Sequence, residues 1–271
     1  MTVAPTGVDR IGRAFARAKA ERRLAVVIYL TVGYPAPART AALLCAALDG
    51  GADVLELGVP FSDPLADGAT VQRASQAALE QGTTLRDCIA EARRVVTERD
   101  ATALLMGYAN PFLHYGLAAF ARDAADAGVA GIIVPDLPAE ESAEFDAVLV
   151  PAGMARIDLY APTTPDARLD RLLPQARGFV YCVSLTGVTG ARTVMAGDAT
   201  AFVGRVRSRT TLPVVLGFGI STPDHVAALR DTVDGVVIGS AALDVVAASG
   251  DDGPARLRGF VRDLVAAGRH G

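Results

Sequence analysis

Eight short apolar runs, spaced along the 271 residues and separated by stretches of helical periodicity, limit this chain more than any other feature. They are "LAVVIYLTVG" (24–33), "DVLELGV" (53–59), "TALLMGYA" (102–109), "AGIIVPD" (130–136), "ARIDLYA" (155–161), "GFVYCVS" (178–184), "PVVLGFG" (213–219) and "GVVIGS" (235–240). Several are continuously apolar, as strands covered on both faces are. Between them lie one-faced stripes: Leu85, Cys88, Ile89, Ala92 and Val96, and near the C-terminus Leu257, Phe260, Val261, Leu264 and Val265. Thr222-Pro223-Asp224 reads as a helix start, with a capping hydroxyl, proline at the first helical position and an acid in the first turn. Strands alternating with helices make either an open doubly wound sheet or a closed barrel. Eight runs, a length near that of a one-domain barrel and no GxGxxG after the first run favour a (β/α)8 barrel. Val8, Ile11, Phe15 and Ala18 add a helix before the first strand. No low-complexity linker divides the chain, so residues 1–271 are expected to form a single domain.

Composition removes several function classes. A net charge of -4 and a pI of about 5.4 argue against a broad nucleic-acid surface, though not against a local anion site. No apolar stretch reaches about 18 residues, so no membrane span is expected. The N-terminus lacks the apolar core of a signal peptide, and a soluble, cytoplasmic protein is the expectation. Cys45, Cys88 and Cys182 are odd in number and widely spaced, which suggests small buried hydrophobes rather than disulfides or a zinc site. His114, His225 and His270 have no spacing suited to a triad or a metal and read as surface or capping residues. Proton chemistry then falls to a carboxylate.

In a barrel the site lies at the C-terminal ends of the strands. The sixth run leads into Gly187 and Gly190, the seventh carries Gly217 and Gly219, and the eighth ends in Gly239 and Ser240. Glycines at three neighbouring exits let backbone N–H groups approach one anion, and a helix N-terminus adds its positive end. Across from them stands "LELGVPFSDPLADG" (55–68). Side chains alternate along its strand, so Glu56 shares a face with Val54 and Gly58 and is enclosed whichever face turns inward. An unpaired buried carboxylate stays neutral, finds a donor or serves a reaction, and a raised pKa suits a general acid and base. Asp67 follows in a proline-punctuated loop, where it either turns the chain or faces Glu56 across a substrate; Asp63 reads as a brace that accepts backbone N–H groups. Tyr29, Tyr108, Tyr181 and Phe218 sit at strand ends and, with Leu65 and Leu159, could line an apolar pocket for a flat ring.

These segments resemble the tryptophan synthase alpha chain family. "LELGVPFSDPLADG" is similar almost letter for letter to its signature, and "YLTVGYP", "LLMGYANPF", "PDLPAEES", "APTTP", "GFVYCVSLTGVTGAR", "LGFGIS" and "DGVVIGSA" follow in the family's order, from about Phe15 to Val245. The resemblance implies a TIM (β/α)8 barrel with an extra N-terminal helix. It implies retro-aldol cleavage of indole-3-glycerol phosphate to indole and glyceraldehyde 3-phosphate, in tryptophan biosynthesis. It implies no cofactor in this chain and a beta-chain partner that carries pyridoxal phosphate. By position, Glu56 matches the acid/base, Asp67 the second catalytic carboxylate and Tyr181 the tyrosine beside them. Gly190, Gly219, Gly239 and Ser240 match the phosphate loops, and Tyr29, Tyr108 and Phe218 the indole surroundings. Thr189 matches the threonine of a lid that closes over substrate, here residues 187–198. Residues 61–74 and 110–112 match the beta-chain contact. A stand-alone lyase releasing free indole is the alternative, since the same residues would serve it.

Overall fold

The computed structural model describes residues 5–183, 194–217 and 219–270. The strands are β1 (Ala25–Thr31), β2 (Val54–Gly58), β3 (Ala103–Met106), β4 (Gly131–Ile133), β5 (Ala155–Ile157), β6 (Leu159–Tyr160), β7 (Val180–Val183), β8 (Val214–Gly217) and β9 (Gly235–Ile238). All pairings between them are parallel, in the order β5-β4-β3-β2-β1-β9-β8-β7-β6. β5 and β6 stand at the two ends of that order, yet they are consecutive pieces of one run, parted only at Asp158. The sheet thus comes round on itself. Eight runs make nine strands among the described residues because the fifth stave is split at Asp158, which pairs with Arg156.

Alternation along each strand sorts the side chains into two layers. Leu55 and Leu57 join the layer between sheet and helices, whereas Val54 joins an inner cluster with Val27, Leu104, Ile157, Tyr181, Val215 and Val237. Glu56, two residues from Val54, therefore points into the barrel. The helix Gly7–Ala20 begins with a capping box between Thr6 and Asp9 and turns Ile11, Ala14, Phe15 and Ala18 into the same inner cluster. Phe15 meets Phe179 with ring centroids 5.4 Å apart. This extra helix closes the N-terminal end of the barrel.

A buried ion cluster fastens that end. Asp53, at the foot of β2, accepts from Arg23 at 2.6 and 2.9 Å, from Arg17 at 3.3 Å and from the backbone N–H of Val26 at 3.0 Å. Both Arg23 and Asp53 are buried, and their bidentate geometry offsets the cost of taking two charges out of water. The amphipathic stripes appear where their period puts them. The helix Leu85–Arg99 buries Cys88, Ile89, Ala92 and Val96, and Gly253–Ala267 buries Leu257, Val261 and Leu264. Among the described residues no helix is long and apolar enough to cross a membrane.

Candidate active site

Glu56 pairs in register with Tyr29 of β1 and Leu104 of β3 and is 1% exposed. Its Oε2 has no hydrogen-bond partner among the described residues. Burial first, and then the nearby charge of Asp67, push its carboxyl up to about 8. An acid in that condition holds its proton at neutral pH and can part with it at small cost.

Asp67 arrives by way of a turn in which its own N–H donates to Pro64 O at 3.0 Å. Burial raises its carboxyl to about 6, against a hydrogen bond from Tyr108 that lowers it. The Tyr108 hydroxyl donates to Asp67 Oδ2 at 3.1 Å and accepts from Ala66 N at 2.9 Å. Among the described residues Asp63 does not brace the loop through backbone N–H groups as expected: its carboxylate accepts from the adjacent Ser62 hydroxyl.

Both carboxylates open onto one cavity of about 410 Å³ at the C-terminal mouth. Tyr29 and Tyr181 also line it, each buried against a glycine. A Cβ on Gly58 would sit 2.2 Å from the Tyr29 hydroxyl, and one on Gly217 would sit 2.3 Å from that of Tyr181. Burial, with Asp67 and Glu56 nearby, raises both phenols well above their ordinary value, so they remain protonated donors. The far rim carries Gly219, Gly239 and Ser240. Gly219 has φ +80°, which glycine adopts without strain, and Ser240 opens the helix Ser240–Ala248. No Lys, Arg or His lines the cavity among the described residues, so an anion there has backbone N–H groups and a helix end to rely on. Met106, Ile220 and Val237 supply apolar wall. Asp244 joins them one turn into the Ser240–Ala248 helix and accepts from the Thr70 hydroxyl at 3.2 Å. Neither Asp244 nor these wall residues stood out in the sequence; period 2 from Leu104 would have flagged Met106, and period 3.6 from Ser240 would have flagged Asp244.

Several expected placements differ. Leu65 is not a pocket wall: at the apex of its turn it is 93% exposed. Leu159 lines a separate cavity of about 240 Å³ beside Tyr160. Tyr108 spends its hydroxyl on Asp67 and stacks on Phe61, with centroids 5.1 Å apart. Phe112 is fully buried against Phe120 and Phe145, so it cannot be a partner contact. The loop after β2 is shorter than 61–74, because the helix Ala69–Glu80 takes its second half. Residues 194–198 of the expected lid belong to the helix Val194–Arg207. Thr189, Gly190 and Phe218 lie outside the described residues. Thr222 caps its short helix as read, accepting from His225 N at 3.3 Å.

A parallel barrel stoppered at one end, with two carboxylates and a glycine rim sharing the other, is a TIM-barrel enzyme of the kind that works on small anionic substrates. Residues 15–262 match the family model described as "Tryptophan synthase alpha chain". The chain belongs to the tryptophan synthase alpha chain family. It is 50% identical over 260 residues to the alpha chain of Roseiflexus castenholzii, covering 95% of this chain and 99% of the relative. It is 48% identical over 234 residues to that of Geobacter sulfurreducens, covering 86% and 89%. Among solved structures, a chain of Mycobacterium tuberculosis tryptophan synthase superposes with a TM-score of 0.89 at 38% identity, covering 97% of this chain and 99% of the other.

Proposed function

We propose that this chain is the alpha subunit of tryptophan synthase and cleaves indole-3-glycerol phosphate to indole and glyceraldehyde 3-phosphate. It needs no cofactor for that step, and it pairs with a beta chain that carries pyridoxal phosphate. A cytoplasmic location suits this biosynthetic role.

One observation carries the reading: a buried Glu56, whose Oε2 has no hydrogen-bond partner among the described residues, shares a cavity of ligand size with a glycine-lined rim. The substrate's phosphate rests on the backbone at Gly219, Gly239 and Ser240, with Gly190 assigned by sequence position. The indole then lies between the carboxylates. Glu56 gives its proton to ring carbon C3, and the ring becomes a leaving group. The ring's positive charge is stabilised by ionised Asp67, which accepts from the indole N–H. The side-chain hydroxyl returns a proton to Glu56 as the carbon–carbon bond breaks and the aldehyde forms. Glu56 ends as it began, and the net change is one proton moved from oxygen to carbon. Tyr181 and Tyr29 line the cavity that takes the ring, and Thr189 and Phe218 are assigned to the site by sequence position alone.

Indole release from indole-3-glycerol phosphate tests this directly. Glu56→Gln keeps the shape and loses the proton, so kcat should fall by roughly 10²-fold or more with KM little changed. Near-normal cleavage by that variant would remove Glu56 as the proton carrier. Adding a beta chain should raise the wild-type rate; a rate indifferent to it would favour a stand-alone lyase.

A further inference from the structure

We infer that Tyr108 is a positioning residue for Asp67, fixing where that carboxylate points and tying it to the turn that bears it, rather than a wall for the indole ring. The inference rests on the reading of Asp67 given above. Tyr108 follows β3 and precedes the helix Ala109–Tyr115, so its backbone belongs to the barrel frame. The next residue is pinned as well, since Ala109 N donates to Asp136 at 2.9 Å. The ring is 5% exposed and stacks on Phe61, the residue that opens the loop after β2. Its hydroxyl then reaches the far end of the same loop. A backbone N–H can only donate, so the bond from Ala66 N at 2.9 Å occupies the hydroxyl's acceptor side and leaves its proton for Asp67 Oδ2 at 3.1 Å.

Other contacts at this turn hold backbone and not carboxylate: Gln72 donates to Asp67 O at 2.9 Å, and Ser75 accepts from Phe61 N at 2.8 Å. Among the described residues Tyr108 is the side chain that hydrogen-bonds the Asp67 carboxylate. Among the described residues the titratable groups that face the cavity with Asp67 are Glu56, Tyr29, Tyr181 and Asp244, all acids or phenols. Asp136 flanks Tyr108 from beyond β4. With no cation lining the cavity among the described residues, the Tyr108 proton is what opposes the burial that would neutralise Asp67.

The test is Tyr108→Phe, which removes one oxygen and keeps the stacked ring. Its first readout needs no substrate: titration of the Asp67 carboxyl by ¹³C NMR, with thermal unfolding as a check on folding. The Asp67 midpoint should move to higher pH in Tyr108→Phe; an unmoved midpoint in a folded variant overturns the inference. The second readout is indole release. Tyr108→Phe should lose about tenfold in kcat with KM changed by less than about twofold. Placed on Asp67→Asn, it should cost nothing further. An equal loss on both backgrounds would mean that Tyr108 acts on the ring itself. Absence of indole release by the wild type would count against the function proposed for the cavity, while the NMR titration would still decide the role of Tyr108.

Discussion

Glu56 and Asp67 are two carboxyls in one cavity whose surroundings hold them apart, one near 8 and one near 6. The proposed chemistry needs the first protonated and the second ionised. The kcat/KM profile should therefore be a bell, rising as pH passes about 6 and falling as it passes about 8, limbs that belong to the interacting pair. Stability should follow Glu56 in the opposite sense to a salt-bridged acid. Its folded value lies above the ordinary 4.5, so the folded state binds the extra proton; its contribution is complete below about 4.5 and is lost as pH rises towards 8. Glu56→Gln cannot ionise, so its melting temperature should gain on that of the wild type between those two pH values. A gap that stays constant across the window would contradict the raised value. Glu56 was legible in the sequence because a single charge in an apolar run is conspicuous. The grip of Tyr108 on Asp67 was not: it joins positions 41 apart and depends on how a turn folds.

At the scale of elements, the strands were legible because burial on both faces writes unbroken apolar runs, and the long helices because their stripes keep one period. The split of the fifth stave was not, since Asp158 departs from the pattern by one residue and its pairing with Arg156 is a matter of three dimensions. The ion cluster at the foot of β2 was equally hidden, because Asp53 reads as the polar start of a strand. Asp53→Ala would leave Arg23 buried without its bidentate partner, and should cost roughly 3 kcal/mol in urea unfolding with kcat preserved. Gly58→Ala works the other way. The new methyl would displace the Tyr29 ring into the cavity, so KM should rise while the barrel still forms. Unaltered kinetics in that variant would show that Tyr29 yields without touching substrate space.

For the whole molecule, one closed sheet with an inner and an outer core layer predicts one unfolding event. Calorimetry on the chain should give a single transition, and two separable ones would refute a single domain. Leu65 stands at 93% exposure two residues from Asp67, in the segment that the family resemblance matches to the beta-chain contact. Leu65→Glu should leave basal cleavage intact and reduce its stimulation by a beta chain; undiminished stimulation would place the contact elsewhere. The helix Gly7–Ala20, with Phe15 set against Phe179, has a further consequence. It makes the barrel a cul-de-sac. Among the described residues the way in for a substrate is the mouth that Glu56 and Asp67 share, and the fragments of a cleaved molecule start out from that same threshold. A neighbour seated across that threshold would bear on how they depart, without altering a single bond-breaking group.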